Sequence, residues 1–141
     1  PLNGLIADVL AAAPDTRCFR DPTRGGLAST LNELGAQSGV DMVVSEDDVP
    51  VKDVVRGACD MLGYDVFQVA NEGKMVCIVP AEQAEAALAA IKANKYGADA
   101  AIIGRVEEAN ETRGPKVFLE TGFGTRRILD MLVGEQLPRI C

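Results

Sequence analysis

The 141-residue sequence contains no histidine and no tryptophan, and aromatic residues make up only 4% of it. Without an imidazole, the chain cannot build a histidine-ligated zinc site or use a histidine base, and we expect no metal site. With so few aromatic residues, the core must consist of Val, Ile, Leu, Ala and Met. The hydrophobic content of 48% is enough for one such core.

Basic clusters and long apolar runs are also missing. The net charge of −7 argues against partners such as nucleic acid or an anionic membrane surface. No stretch is long and apolar enough to span a bilayer, and the start shows no signal-peptide pattern. No two of the four cysteines form a CxxC pair, which predicts a reduced, cytoplasmic protein. Because the first residue is Pro1, we expect a fragment of a longer protein.

The hydrophobic pattern predicts alternating helices and strands. Apolar residues recur at helical spacing in five segments that end at Pro14, Gly39, Gly63, Asn94 and Gly134. Short apolar runs predict strands over residues 41–46, 66–70, 75–79, 100–106 and 116–120. This order predicts an α+β fold, a layered α/β sandwich in which helices cover a mixed sheet. We expect one domain over residues 1–134 and a flexible tail over 135–141.

The runs at 66–70 and 75–79 are joined by Asn71-Glu72-Gly73-Lys74, whose composition predicts a hairpin turn. A carboxylate such as Glu72 in a surface turn is ordinarily a solvated charge without a special role. The tip of two rigid strands is also a place where a fold can hold a catalytic base. Sequence spacing leaves both interpretations open.

A second motif, Asp21-Pro22-Thr23-Arg24-Gly25-Gly26, comes directly before a predicted helix. Two glycines at a helix start give an anion or a phosphate close access to backbone N–H groups. The alternative is a plain turn capped by Thr23 or Asp21, and spacing alone favours this alternative.

The chain ends in a thiol, Cys141, preceded by Pro138-Arg139-Ile140. Pro138 stiffens the approach, and Ile140 offers an apolar foothold near the end of a tether that could enter another site. The alternative is an incidental terminal thiol, because reactivity depends on a microenvironment that sequence does not show.

Taken together, four segments resemble the hydrogenase maturation family HypE. They are Asp21–Ala28 with Asn32-Glu33, Ala70–Lys74, Gly104–Val106 and Leu137–Cys141, in the family's order and over the whole chain. The final Pro-Arg-Ile-Cys is the most specific of them. The resemblance covers only the family's C-terminal domain, of the aminoimidazole-ribonucleotide-synthetase (PurM-like) superfamily. It implies that fold, and it implies that the family's N-terminal ATP-binding domain is absent here.

This resemblance implies a function for the terminal thiol. Cys141 would accept a carbamoyl group from the carbamoyltransferase HypF, and ATP-dependent dehydration would convert the thiocarboxamide to a thiocyanate. The cyanide would then pass to iron on a HypC–HypD complex, as a ligand of nickel–iron hydrogenase. ATP and Mg²⁺ would serve the full-length protein, with none expected on this fragment. The full-length family forms a homodimer through its N-terminal domain, so the fragment is expected to be a monomer.

The resemblance also implies roles for individual residues. Glu72 matches the position of the catalytic base, with Asn71 and Lys74 as orienting groups, while the tail residues Pro138, Arg139 and Ile140 would position the thiol. The nucleotide phosphates, or the entry of the tail, would be bordered by Asp21, Thr23, Arg24, Gly25 and Gly26.

Two other hypotheses stay open. The chain could be a carrier or docking module that presents the thiol of Cys141 while catalysis occurs elsewhere, in which case Glu72 has no chemical role. A different PurM-like synthetase would leave Cys141 without any role, which the terminal motif makes a poor explanation.

Overall fold

A computed structural model describes residues 1–131, and these form two units. Unit 1 comprises residues 1–21 and 73–102, and unit 2 comprises residues 22–72 together with the chain from residue 103 onward. The predicted tail at 135–141 lies outside the described residues, as do residues 132–134.

Unit 1 contains two helices and a two-stranded sheet. Helix α1 spans Asn3–Ala12, strand β1 spans Cys18–Arg20, and the later part of the unit supplies a strand at Val76–Ile78 and a helix at Ala84–Ala93. The two strands pair antiparallel, and the two helices pack together. The core of this unit consists of Val9, Ala13 and Ala87, against which Phe19 and Ile91 pack.

Unit 2 is built on a four-stranded mixed sheet. In chain order its elements are α2 at Gly26–Ser38, β2 at Val40–Ser45, α3 at Asp53–Leu62, a 3-10 turn at Val66–Gln68, β4 at Gly104–Glu108, β5 at Val117–Glu120 and β6 at Arg126–Ile128. The remaining two elements belong to unit 1: the strand at Val76–Ile78 is β3 and the helix at Ala84–Ala93 is α4. The sheet order is β4-β2-β5-β6, with β2 and β5 parallel and the other pairs antiparallel. The predicted mixed sheet with helices is confirmed.

The hairpin predicted between residues 66–70 and 75–79 is wrong. Val66–Gln68 forms a 3-10 turn, because the side chain of Asp65 accepts a hydrogen bond from the N–H of Phe67 at 3.0 Å and starts the turn. Strand β3 pairs with β1 instead. Glu72 therefore does not lie at the tip of two paired strands. Periodicity gave no sign of β1, since a run of three residues is too short to show a pattern.

The last predicted helix is also wrong where the structure describes it. Residues 126–128 form β6, which pairs antiparallel with β5 through the turn at 121–125. The N–H of Thr121 donates to the carbonyl of Thr125 at 2.9 Å, and Gly124 supplies a φ of +77°. These features make Thr-Gly-Phe-Gly a hairpin turn, where the sequence pattern had indicated a helix start.

Helix α3 forms where the sequence predicts it, but its apolar side is not covered by the described residues. Val54 is 77% exposed, Met61 is 87% exposed and Leu62 is 66% exposed. Cys59 is the one residue of α3 that the structure buries. By contrast, α2 packs against β2, β5 and the 3-10 turn.

Candidate functional site

The glycines of the Asp21–Gly26 motif have positive φ angles and permit a close packing contact. Gly25 and Gly26 have φ angles of +62° and +63°. A Cβ at Gly26 would lie 2.6 Å from the carbonyl oxygens of Phe67 and Val69. Because real Cβ atoms do not approach so closely, only glycine lets the start of α2 rest on the segment that precedes Glu72.

A backbone hydrogen bond brings the same two segments together a few residues further on. The N–H of Asn71 donates to the carbonyl of Pro22 at 3.0 Å. The bond from Asn71 to Pro22 and the packing of Gly26 on residues 67–69 thus join two segments that are far apart in sequence. The structure joins two motifs that sequence analysis had selected separately.

Further contacts fix the segment that leads to Glu72. Asp65 caps the 3-10 turn. Its carboxylate also forms an ion pair with Arg127, with Oδ2 3.3 Å from Nη2. The side-chain amide of Asn32, on α2, donates to the carbonyls of Ala28 at 2.8 Å and Leu129 at 2.7 Å. These bonds tie α2, the 3-10 turn and the end of β6 into one support for residues 67–71.

Glu72 itself is exposed and lies in a bend, and Gly73 follows it with a φ of +70°. The boundary between the two units falls between these two residues. An exposed carboxylate on a well-anchored segment can accept a proton from a group brought to it. Asn71, the residue before it, is half-buried.

In unit 1, two other predicted residues line one cavity. Asp21 and Lys74 border a space of about 310 Å³, together with Leu2, Ile6, Phe19, Arg20 and Met75. Arg20 and Asp21 lie 4.0 Å apart, at the limit of an ion pair. The space is an open depression with apolar side chains at its base and the charged groups Arg20, Asp21 and Lys74 at its border.

The remaining predicted site residues, Cys141 with Pro138, Arg139 and Ile140, lie outside the described residues. Among residues 1–131, no group of three or more His, Cys, Asp and Glu side chains could hold a metal ion. Within the same range, none of the helices has the length and the apolar character needed to cross a bilayer.

The sequence reasoning missed the supporting residues Asp65, Asn32 and Arg127. Asp65 had a visible signal, since an aspartate directly before a short apolar run commonly accepts a hydrogen bond from the backbone N–H two residues on. Asn32 belongs to a motif quoted for the resemblance, but its partner at Leu129 is distant in sequence and had no signal.

The face of the sheet that carries Asp41 also escaped the sequence reasoning. Asp41 is buried and binds Arg113 at 2.5 Å and the N–H of Lys116 at 2.7 Å. Burial raises the pKa of Asp41, but these two hydrogen bonds and the charge of Arg113 outweigh it and hold the pKa below its usual value. An ionised carboxylate on β2 therefore connects this strand to Arg113 and Lys116.

A ring of four charges crosses the sheet on β4, β5 and β6. Arg105 contacts Glu107 at 2.8 Å and Glu120 at 3.4 Å, and Arg126 contacts Glu120 at 2.8 Å and Glu107 at 3.2 Å. Hydrogen bonds from Arg126, more than from Arg105, lower the pKa of both glutamates. This ring gives Arg105, in the motif Gly104–Val106, a structural role in the sheet.

One cysteine of unit 1 has a thiol of low reactivity. Burial, with a smaller contribution from Cys18, raises the pKa of Cys77 to about 11. Its thiol is therefore protonated at neutral pH and a poor nucleophile. Cys77 packs against the core of unit 1 and behaves as a small apolar residue.

Comparison with known proteins places the chain in a family. Residues 3–115 match the family model described as AIR synthase related protein, C-terminal domain. The chain is 56% identical over 99% of its length to the carbamoyl dehydratase HypE of Azotobacter vinelandii, and 40% identical over all of it to that of Escherichia coli. It spans about 40% of the length of these curated relatives.

Solved structures agree with this assignment. A crystal structure of the hydrogenase maturation protein HypE in complex with ATP has a TM-score of 0.88 and 45% identity, covering 99% of this chain and 42% of that one. A crystal structure of a HypE–HypF complex has a TM-score of 0.87 and 42% identity, covering 94% of this chain and 42% of that one. The chain therefore belongs to the AIR synthase related protein C-terminal domain family and is a homologue of the carbamoyl dehydratase HypE.

Proposed function

We propose that the chain is the C-terminal part of a carbamoyl dehydratase that makes the cyanide ligands of nickel–iron hydrogenase. The observation that supports this most is the 56% identity to a carbamoyl dehydratase HypE over nearly the whole chain. Because the chain spans about 40% of that relative, the activity belongs to the full-length protein. The fragment alone is expected to be inactive, since the resemblance implies that the N-terminal ATP-binding domain is not part of it.

In this proposal the thiol of Cys141 gives up its proton, and its sulfur bonds to the carbon of a carbamoyl group delivered by HypF, as the group that carried the carbamoyl leaves that carbon. The thiocarboxamide then loses its oxygen and two N–H protons, and a thiocyanate remains on the sulfur. ATP supplies the phosphoryl group that makes the oxygen a leaving group, so that ADP and phosphate are released. Removal of the protons requires a base, and a carboxylate fits a chain without histidine. We assign that role to Glu72.

The geometry of unit 2 is consistent with this assignment. Asn71 is anchored to Pro22, and the preceding 3-10 turn is capped by Asp65 and packed on Gly26. A base on such a support keeps its position while the substrate tail moves in and out. Asn71 and Lys74 are the flanking groups that would orient the thiocarboxamide, and Pro138, Arg139 and Ile140 would guide the tail.

The residues present fit a border to ATP rather than a complete nucleotide site. Thr23 and Arg24 precede α2, where polar and cationic groups suit a phosphate. Gly25 and Gly26 are already required by positive φ angles and by packing, so the glycines do not by themselves indicate phosphate binding. Asp21 is proposed to lie at the same border. Mg²⁺ is proposed to accompany the phosphates of ATP in the full-length protein.

We propose three partners: HypF as carbamoyl donor, a HypC–HypD complex as cyanide acceptor, and the protein's own N-terminal domain. A solved complex of HypE with HypF, to which this chain is 42% identical, supports the first. The reaction is assigned to the cytoplasm, where a terminal thiol stays reduced. The second candidate function is a carrier module, in which Cys141 is presented to partners and Glu72 has no chemical role.

The mass of the C-terminal peptide tests the proposal. The full-length protein is incubated with HypF and its carbamoyl donor, repurified, and measured before and after ATP is added. We expect Cys141 to gain one carbamoyl group and then to lose one water when ATP is present. A carbamoyl group that survives ATP would support the carrier module, and an unmodified Cys141 would contradict both functions.

A further inference from the structure

The segment that leads to Glu72 has little regular secondary structure to hold it. Residues 66–68 form a single 3-10 turn, and residues 69–72 belong to no helix or strand. The backbone of such a segment keeps its course only where individual hydrogen bonds and packing contacts fix it. Each contact made by residues 65–71 therefore bears on where the carboxylate of Glu72 lies.

Asp65 makes the first of these contacts. Its Oδ1 atom accepts a hydrogen bond from the N–H of Phe67 at 3.0 Å, and its backbone carbonyl accepts one from the N–H of Gln68 at 2.9 Å. Together these two bonds close the 3-10 turn. Phe67 is only 3% exposed, so the turn cannot open without bringing this ring into water.

The same turn fits against the start of α2. A Cβ at Gly26 would lie 2.6 Å from two carbonyl oxygens of residues 67–69, so the two backbones are in close contact. The N–H of Asn71 then donates to the carbonyl of Pro22 at 3.0 Å. Both contacts depend on the course that the turn gives to the backbone, and Glu72 follows directly after them.

We propose that Asp65 is a positioning residue for the dehydration reaction, and that its side-chain cap on the 3-10 turn determines where Glu72 lies. This rests on the proposed function, because it takes Glu72 to be the base. The carboxylate of Asp65 also pairs with Arg127 across 3.3 Å. Both side chains of that pair are partly exposed, where ion pairs contribute little, so we assign the positioning to the cap and not to the charge.

Three variants of the full-length protein separate the cap from the charge. Asp65→Ala removes both, whereas Asp65→Asn keeps an Oδ1 acceptor for the cap and removes only the charge. Asp60→Ala is the matched control, because it removes an exposed carboxylate from α3, five residues earlier in the chain. Each variant is carbamoylated by HypF and repurified, and its loss of water is followed by mass after ATP is added.

We expect Asp65→Ala to be carbamoylated as fully as the parent and then to lose water about tenfold more slowly at saturating ATP, because a displaced base accepts a proton less efficiently. The ATP concentration that gives half of the maximal rate should not change. Asp65→Asn and Asp60→Ala should lose water at nearly the parent's rate. A slow Asp65→Asn would assign the effect to the ion pair with Arg127, and a fast Asp65→Ala would leave the cap without a role in the reaction; either result overturns the proposal.

Hydrogen exchange of the same proteins without ATP gives a readout that is independent of the chemistry. Asp65→Ala should speed exchange in peptides covering residues 67–71, including the amide of Asn71, and leave exchange in α1 and α4 unchanged. Unchanged exchange at Asn71 would overturn the proposal, and so would faster exchange throughout the protein, which would indicate a general loss of stability. A parent protein that loses no water with ATP would instead contradict the proposed function, and exchange would still decide whether Asp65 holds Asn71 in place.

Discussion

Helices α2 and α3 differ in what surrounds them far more than in sequence pattern. Both carry apolar residues at helical spacing, and both end at a glycine with positive φ, Gly39 and Gly63. Yet α2 buries six of its residues, whereas α3 buries Cys59 alone. Periodicity therefore identifies the face that a helix needs to cover, but it does not say which part of the molecule covers it.

The largest expected difference between the helices comes from shortening a leucine in each. Leu31 of α2 is 3% exposed, so Leu31→Ala should lower the free energy of unfolding by about 2–5 kcal/mol. Leu62 of α3 is 66% exposed, and Leu62→Ala in this chain should change it by no more than about 0.5 kcal/mol. Urea unfolding of the two variants measures both values. Equal losses would mean that α3 is covered within the chain after all.

Glycine-to-alanine changes should have opposite signs in the two helices. At Gly26 a Cβ would clash with two carbonyl oxygens and the φ is +63°, so Gly26→Ala should cost about 2 kcal/mol or more. At Gly57 there is nothing within 4 Å, so Gly57→Ala should stabilise the chain by about 1 kcal/mol. Thermal unfolding checks both signs. A destabilising Gly57→Ala would show that something packs on α3.

A smaller effect is expected from the Asp41–Arg113 pair in the sheet beneath α2, whose contribution to stability depends on pH. Arg113→Met should lower stability at neutral pH by roughly 1.5–3 kcal/mol, because Asp41 loses a charged hydrogen bond while buried. Since the pKa of Asp41 is lowered in the folded protein, its contribution is present above about pH 4 and is lost as the pH falls through the folded pKa. The difference between the variant and the parent should therefore fade on acidification.

Hydrogen exchange shows which helices the Arg113→Met change affects. Arg113→Met should speed exchange in α2, which packs on the sheet, and leave exchange in α3 unchanged, because α3 packs mainly on the 3-10 turn. A melting difference that stays constant from neutral to acidic pH would contradict the assigned role of Asp41.

Much of the fold could be predicted from local patterns. Helices α1, α2, α3 and α4 and strand β2 lie close to their predicted positions, because the helices have clear periodicity and a Pro or Gly follows α1, α2 and α3. The prediction failed where the structure of a segment depends on residues outside that segment. β1 has only three residues and depends on β3, and the run at 66–68 follows the cap from Asp65. Arg126–Ile128 follows a hairpin turn that also resembles a helix start.

The candidate site could likewise be predicted from sequence only in part. The two motifs could be selected from sequence, because paired glycines and an isolated turn carboxylate are visible there. Their contact through Gly26, Phe67 and Val69 could not, since no local pattern encodes which backbone a glycine approaches. The support from Asn32 likewise depends on Leu129, in another part of the chain.

The most direct test of the central claim compares Glu72→Gln with Glu111→Gln in the full-length protein. Both changes remove one exposed carboxylate, but Glu111 lies in a polar turn far in sequence from Glu72 and from the Asp21–Gly26 motif. Using the mass of the C-terminal peptide, we expect both variants to carry the carbamoyl group on Cys141. With ATP, Glu111→Gln should lose one water and Glu72→Gln should retain the carbamoyl group intact. Normal loss of water from Glu72→Gln would contradict the role of Glu72 as the base.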